Sequence, residues 1–258
     1  MKAKDEQLFQ AASTGNLSTI SSILAEYSPP PETLQQTIVK AIYPNANLSV
    51  VTELLHRQFP DLPLSEDMIR WSCYTGSIPI AEAILAKDPQ AYTGSFDDES
   101  GTPMVLAVQS RKSYEFLSYL LSHGADPFLH HGRYAPLFPA AVLRYHGGLD
   151  AVAAMMDHGV NLQHQNILLG AVSHGYLELA RYLLAHGVTP ENDQSMDNQS
   201  KVPVLHIAVS NGDIRMVQLL LEYGARVDVK DDQGLTTVQV AEKMQHSKII
   251  ELLKASLC

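Results

Sequence analysis

Apolar residues return along this chain in short paired bursts. From Leu8 to Leu24 it reads LFQAASTGNLSTISSIL. One burst centres on Ala11, a polar stretch carries a glycine, and a second burst follows. In the second, Ile20, Ile23 and Leu24 recur at the three-to-four spacing of a buried helical face. The same cadence runs through MVLAVQSRKSYEFLSYLLSHGAD (Met104–Asp126) and LLGAVSHGYLELARYLLAHG (Leu168–Gly187). It recurs where Leu205–Gly212, LHIAVSNG, leads on to Val217, Leu219, Leu220, Leu221 and Gly224, and weaker versions begin at Ile38, Ile69, Leu137 and Val238. Each copy predicts two short antiparallel helices joined by a tight turn. Gly15, Gly76, Gly175 and Gly212 fall in that turn, where positive φ is often required. Gly124, Gly159, Gly187 and Gly224 follow the second helix, the usual place of a C-terminal cap. Pro79 lies near the start of a second helix, where its missing N–H costs little.

A small residue marks the first helix of each copy: Ala11, Ala41, Ser72, Ala107, Ala140, Ala171, Ala208 and Ala241. The intervals are 30, 31, 35, 33, 31, 37 and 33 residues. A small side chain at a helix–helix contact lets the neighbour approach closely. One such unit cannot bury its own apolar face, so stacking must supply the stability. The series therefore predicts a single elongated domain over residues 1–258, with repeats starting near 5, 35, 66, 101, 134, 165, 202 and 234.

The phrase, above all Leu205-His206-Ile207-Ala208 with its later Gly224-Ala225 ending, resembles the ankyrin repeat, whose period is about 33 residues. The resemblance implies an all-α solenoid of stacked helix pairs with short β-turn fingers. Departures from the family pattern are informative. Thr102-Pro103 alone keeps the T-P opening, and His206 alone keeps the family's structural His. About one residue is inserted near Asn45, about one near Arg111, and about three within Val142–Gly148. Pro29-Pro30-Pro31 replaces the first finger, and a long polar finger spans Thr189–Val202.

Ankyrin-like proteins bind through a concave face built from finger tips and the exposed side of the first helices. On that resemblance the groove positions include Gln10, Ser13, Thr14, Lys40, Tyr43, Trp71, Tyr74, Gln109, Arg111, Arg144, Tyr145, His146, Ser173, His174, Ser210 and Asn211. The one Trp of the chain is among them, with basic side chains at Lys40, Arg111 and Arg144. Arg pairs bidentately with carboxylates, and Trp and Tyr offer rigid contact area. The expectation is a protein-interaction module binding a protein or peptide through this groove. The alternative is a small-molecule binder, or a motif-less isomerase or cyclase acting on an acidic or aromatic molecule. In that case His174, Arg144 and Tyr145 are the candidate catalytic groups, because His exchanges a proton near neutral pH.

Composition narrows the classes. The formal net charge is −10 and the sequence pI about 5.5, which gives no basic footprint for nucleic acid or anionic membrane. No apolar run reaches the roughly 18 residues of a membrane span. The opening MKAKDEQLFQ carries acidic residues where a secretory signal is apolar, so a cytoplasmic monomer is expected, with a nuclear site also open. Cys73 and Cys258 make neither a disulfide framework nor a zinc site, and Cys73, beside the small contact position, is expected to be buried. His123, His158 and His186 each precede the glycine that ends a second helix, a repeated structural place where His complements the helix C-terminus. No metal ligand set, cofactor motif or hydrolase, nucleotide-binding or zinc-protease signature is present.

Overall fold

A computed structural model describes residues 2–96, 101–108, 110, 113–129, 148–162, 167–190 and 203–256. The chain divides into two compact units, Met1–Phe138 and Pro139–Cys258, and each is described by itself. Among the described residues there is no strand, only an isolated antiparallel bridge between Lys230 and Thr236.

The first unit holds α1 (Lys2–Ser13), α2 (Leu17–Glu26), α3 (Pro31–Ile42), α4 (Leu48–Thr52), α5 (Glu66–Thr75), α6 (Ile78–Leu85), α7 (Pro103–Ala107) and α8 (Ser113–Ser122). Helix α4 runs on into a π-helical turn, Glu53–Gln58, in which the Phe59 N–H donates to Leu54 O. The second unit holds α9 (Leu149–Asp157), α10 (Ile167–Ser173), α11 (Leu177–Ala185), α12 (Val204–Ser210), α13 (Ile214–Glu222), α14 (Thr237–Lys243) and α15 (Ser247–Ala255). First helices stack on first helices, α1–α3–α5–α7 in one unit and α10–α12–α14 in the other, with the second helices packed behind them. Among the described residues the paired bursts are thus helix pairs, and the fold is that of ankyrin repeats.

The seam between first helices explains the small-residue series. Ala41, Ser72, Ala107, Ala171, Ala208 and Ala241 are fully buried and Ala11 nearly so, while Ala140 lies outside the described residues. The turn behind the seam has a hydrogen bond that recurs in four repeats. The residue that opens the second helix donates its N–H to the small residue five positions back: Asn16 to Ala11, Tyr176 to Ala171, Asp213 to Ala208 and His246 to Ala241. In the second repeat Asn47 reaches Ala41, six back, which locates the inserted residue expected near Asn45. The positive φ of this turn falls on Gly15, Gly76, Gly175 and Gly212, and on Ala46 and Gln245 where glycine is missing.

At two of these glycines the next repeat also demands the space. A Cβ on Gly15 would stand 3.1 Å from Asn47 Oδ1, and one on Gly212 would stand 3.0 Å from His246 Cε1. Caps fix the helix starts: the side chains of Asn16, Ser65, Thr102 and Asp213 each accept a backbone N–H, and Thr236 with Gln239 forms a capping box. The finger before α14 is a tight turn in which Asp231 Oδ1 accepts the N–H of Gln233 (3.0 Å) and of Leu235 (2.8 Å). The proline run differs from its expected role as a stiffened finger. Pro31 is the first residue of α3 and Pro30 its N-cap, so the run starts a helix. The insertion expected near Arg111, all but Gly148 of the segment Val142–Gly148, and most of the finger at Thr189–Val202 lie outside the described residues.

Candidate binding surface

Equivalent positions on adjacent first helices carry the site. Lys40 and Trp71 each stand immediately before the small residue of their repeat, and Tyr43 and Tyr74 each stand two residues after it. The packing of α3 against α5 brings the aromatic members together. The ring centroids of Tyr43 and Trp71 are 4.5 Å apart at 36°, and those of Trp71 and Tyr74 are 5.4 Å apart at 48°. Tyr43 caps the C-terminus of α3 through its N–H to Val39 O and is 44% exposed. Trp71 and Tyr74 are half-buried, and Lys40 is exposed. Three rings from two repeats therefore form one tilted row at the surface, with Gln10 and Ser13 of α1 and Thr14 just after it beyond the row on the upstream side.

The floor beneath the row explains why the third repeat has Ser72 in place of alanine. Ser72 Oγ donates to Ile69 O across 2.6 Å, and the buried Tyr92 hydroxyl donates to Ser72 Oγ across 2.6 Å. Burial pushes the Tyr92 phenol well above its ordinary range. Burial likewise holds the Cys73 thiol well above the usual thiol range, so Cys73 stays protonated and is no nucleophile. On the flank, Arg70 pairs with Glu66 (3.4 Å) and Asp67 (3.7 Å), and its guanidinium lies 4.8 Å from the centre of the Phe96 ring. Sequence reasoning passed over Arg70 and Phe96. The signal was the four-residue spacing of Glu66 and Arg70; nothing local pointed to Phe96.

His174 belongs to the second unit. Its Nδ1–H donates to Gly170 O (2.8 Å), and its ring stacks at 12° on Tyr176, centroids 5.6 Å apart. It is thus a C-terminal cap of α10 on an exposed side chain. His123, His158 and His186 repeat the device, donating from Nδ1 to the carbonyls of Tyr119 (2.8 Å), Ala154 (2.9 Å) and Tyr182 (2.8 Å). His206 is buried and donates from Nε2 to Leu235 O (3.0 Å), fastening α12 to the following finger. Gln109, Arg111, Arg144, Tyr145 and His146 lie outside the described residues. Among the described residues no group of three or more His, Cys, Asp and Glu side chains is placed to hold a metal ion, and no helix is long and apolar enough to cross a membrane.

Comparison with known proteins agrees with this architecture. Residues 188–257 match the family model of ankyrin repeats in three copies. Mouse Rabankyrin-5 is 46% identical over 61 residues, 24% of this chain and 5% of that protein. A putative palmitoyltransferase, ZDHHC13 of Danio rerio, is 24% identical over 195 residues, 72% of this chain and 29% of the relative. The chain thus spans only a fraction of these relatives. Among solved structures, the human ASB11 ankyrin repeat domain superposes with a TM-score of 0.53 at 19% identity, covering 94% of this chain and 96% of that one. An ankyrin repeat domain from Acinetobacter baumannii AYE gives 0.60 at 23% identity, covering 77% and 98%. Residues 188–257 thus carry the sequence signature of ankyrin repeats, and the fold of the chain is that of an ankyrin-repeat solenoid.

Proposed function

We propose that the first unit binds a partner protein through the row formed by Lys40, Tyr43, Trp71 and Tyr74. Ankyrin repeats are generally protein-interaction modules, and the observation that supports this location is the contact of both Tyr43 and Tyr74 with Trp71. Aromatic rings held by their own neighbours lose little entropy on binding, and Trp and Tyr are over-represented among residues whose truncation costs about 2 kcal/mol or more. The seam below is closed by Ala41 and Ser72, so partner contacts fall on a preformed surface. The small-molecule reading has no supporting observation among the described residues, where His174 is occupied in capping its own helix.

Site-specific photo-crosslinking tests the proposal. A benzophenone amino acid at Tyr43 or Tyr74 should capture a partner from source extract, and the same group at Glu178 or Arg215 of the second unit should not. Equal yields at all four positions would remove the row from the interface.

A further inference from the structure

We infer that the row takes a proline-rich, acidic segment of its partner in the polyproline-II conformation, with prolines on the Tyr43–Trp71–Tyr74 rings and a carboxylate at Lys40. The inference rests on the docking reading above and names the chemistry of the occupant.

Register supports it first. Lys40 and Trp71 are one repeat apart at the same position, and so are Tyr43 and Tyr74. The helices that carry them are packed neighbours, and packed helix axes lie about 8–10 Å apart. A polyproline-II chain rises about 3.1 Å per residue and returns to the same face every three residues, after about 9.3 Å. It therefore keeps step with the stack, offering one face to each repeat. A strand returns to the same face after about 6.8 Å and falls out of step. A docked helix needs a groove with apolar walls, and the row is continued on its upstream side by Gln10, Ser13 and Thr14.

The surface chemistry supports it second. Rings tilted at 36° and 48° form shallow ridges of planar apolar surface, the kind of wall on which proline rings lie. Polyproline II has little conformational freedom left to lose. Charge supports it third. Among the described residues Lys40 makes no ion pair, whereas Arg70 nearby is held by Glu66 and Asp67 and covers Phe96. Lys40 is therefore the cation this row offers, and it would meet partner carboxylates that line the edge of the polyproline-II helix flanking the prolines on the rings, as in a Glu-Pro-Pro repeat. The chain's net charge of −10 gives no long-range attraction for an acidic segment, so this contact sets register and direction more than encounter rate.

Terminally blocked peptides provide the test, with fluorescence of the one Trp of the chain, Trp71, as readout and calorimetry beside it. Five Glu-Pro-Pro triplets should bind the full chain saturably and shift Trp71 emission. Five Lys-Pro-Pro triplets and five Glu-Gly-Ser triplets should bind at least tenfold more weakly. Lys40→Glu should reverse the preference between the two proline peptides. Tyr43→Ala should weaken the Glu-Pro-Pro peptide at least tenfold with the helical circular dichroism retained. Should that variant unfold, Tyr43→Leu gives the same comparison with part of the apolar side chain kept and the aromatic ring removed. Equal binding of the Glu-Gly-Ser peptide, or no saturable binding of the Glu-Pro-Pro peptide by the folded chain, would overturn the inference. A chain that crosslinks a partner through Tyr43 yet ignores the Glu-Pro-Pro peptide keeps its docking surface and loses this partner chemistry. Loss of the site preference in crosslinking would remove both.

Discussion

The side-chain amide of Asn47 donates to the carbonyl of Ala12 across 3.0 Å, so the second repeat closes the end of the first helix of the repeat before it. The same nitrogen also reaches Ser13 O at 2.9 Å, and Asn45 adds a further bond to Ser13 O at 2.9 Å. Asn211 makes the corresponding reach to Ser173 O in the second unit, at 3.4 Å. The last carbonyls of a helix have no partner within it. Here the neighbouring repeat supplies one, which makes stacking directional as well as apolar.

Removing that clasp should be measurable. Asn47→Ala should cost about 1–2 kcal/mol, because half-buried carbonyls lose their donors. Gly15→Ala should cost more than about 1 kcal/mol, since it places a Cβ at φ +75 and 3.1 Å from Asn47 Oδ1. The two sites touch, so their effects should not add: the double variant should be less destabilised than the sum of the singles. Urea unfolding of all four proteins gives the cycle, and strict additivity would show that Asn47 and Gly15 are energetically independent.

The seam makes a second prediction. Ala208 is fully buried on α12, which packs between α10 and α14. Ala208→Leu should overpack it and cost about 1–3 kcal/mol. Coupling in stacked repeats runs between nearest neighbours, so hydrogen exchange should rise first in α10, α12 and α14. A uniform rise over both units, or an unchanged melting temperature, would contradict this.

Much of this was legible in the sequence because it is local. A small residue at a close helix contact and a positive φ in a tight turn each leave a mark at a single position, and the repeat multiplies it. The row of Lys40, Tyr43, Trp71 and Tyr74 could be read for the same reason, since each holds a fixed offset from Ala41 or Ser72. The bond between Ser72 and Tyr92 joins residues 20 apart, through a segment that follows no repeat rule. The approach of Arg70 to Phe96 likewise depends on where a finger folds back, the Phe96 N–H donating to Gly101 O. The π turn at Glu53–Gln58 is tied to a distant partner, with His56 Nε2 donating to Ala83 O across 2.7 Å in the next repeat. Such pairings depend on the whole stack, and nothing in the local sequence encodes them.

The buried hydroxyl pair and its neighbour predict how stability depends on pH. Cys73 and Tyr92 are both held above their ordinary ranges by burial, so the unfolded chain gives up these protons first. Their contribution is complete below the unfolded values and is lost as pH rises through them. Unfolding free energy should therefore begin to fall near pH 9, where an unfolded thiol titrates, and more steeply above pH 10, where an unfolded phenol does. Cys73→Ala should remove the first part and Tyr92→Phe the second. Ser72→Ala should cost about 1–3 kcal/mol at neutral pH by leaving the buried Tyr92 hydroxyl without its acceptor, and Tyr92→Phe in that background should restore part of the loss. A stability curve flat from pH 8 to 11 would refute the burial argument.

The affinity of the crosslinked partner for a small set of variants tests the central claim most directly. Tyr43→Ala and Trp71→Leu should each weaken binding by about 2 kcal/mol or more, roughly thirtyfold, by the usual measure of an interface anchor. Glu178→Ala and Arg215→Ala, in the second unit, should leave it within a factor of two. The account predicts that large separation with every variant still folded by circular dichroism; equal affinity across all four variants would contradict it.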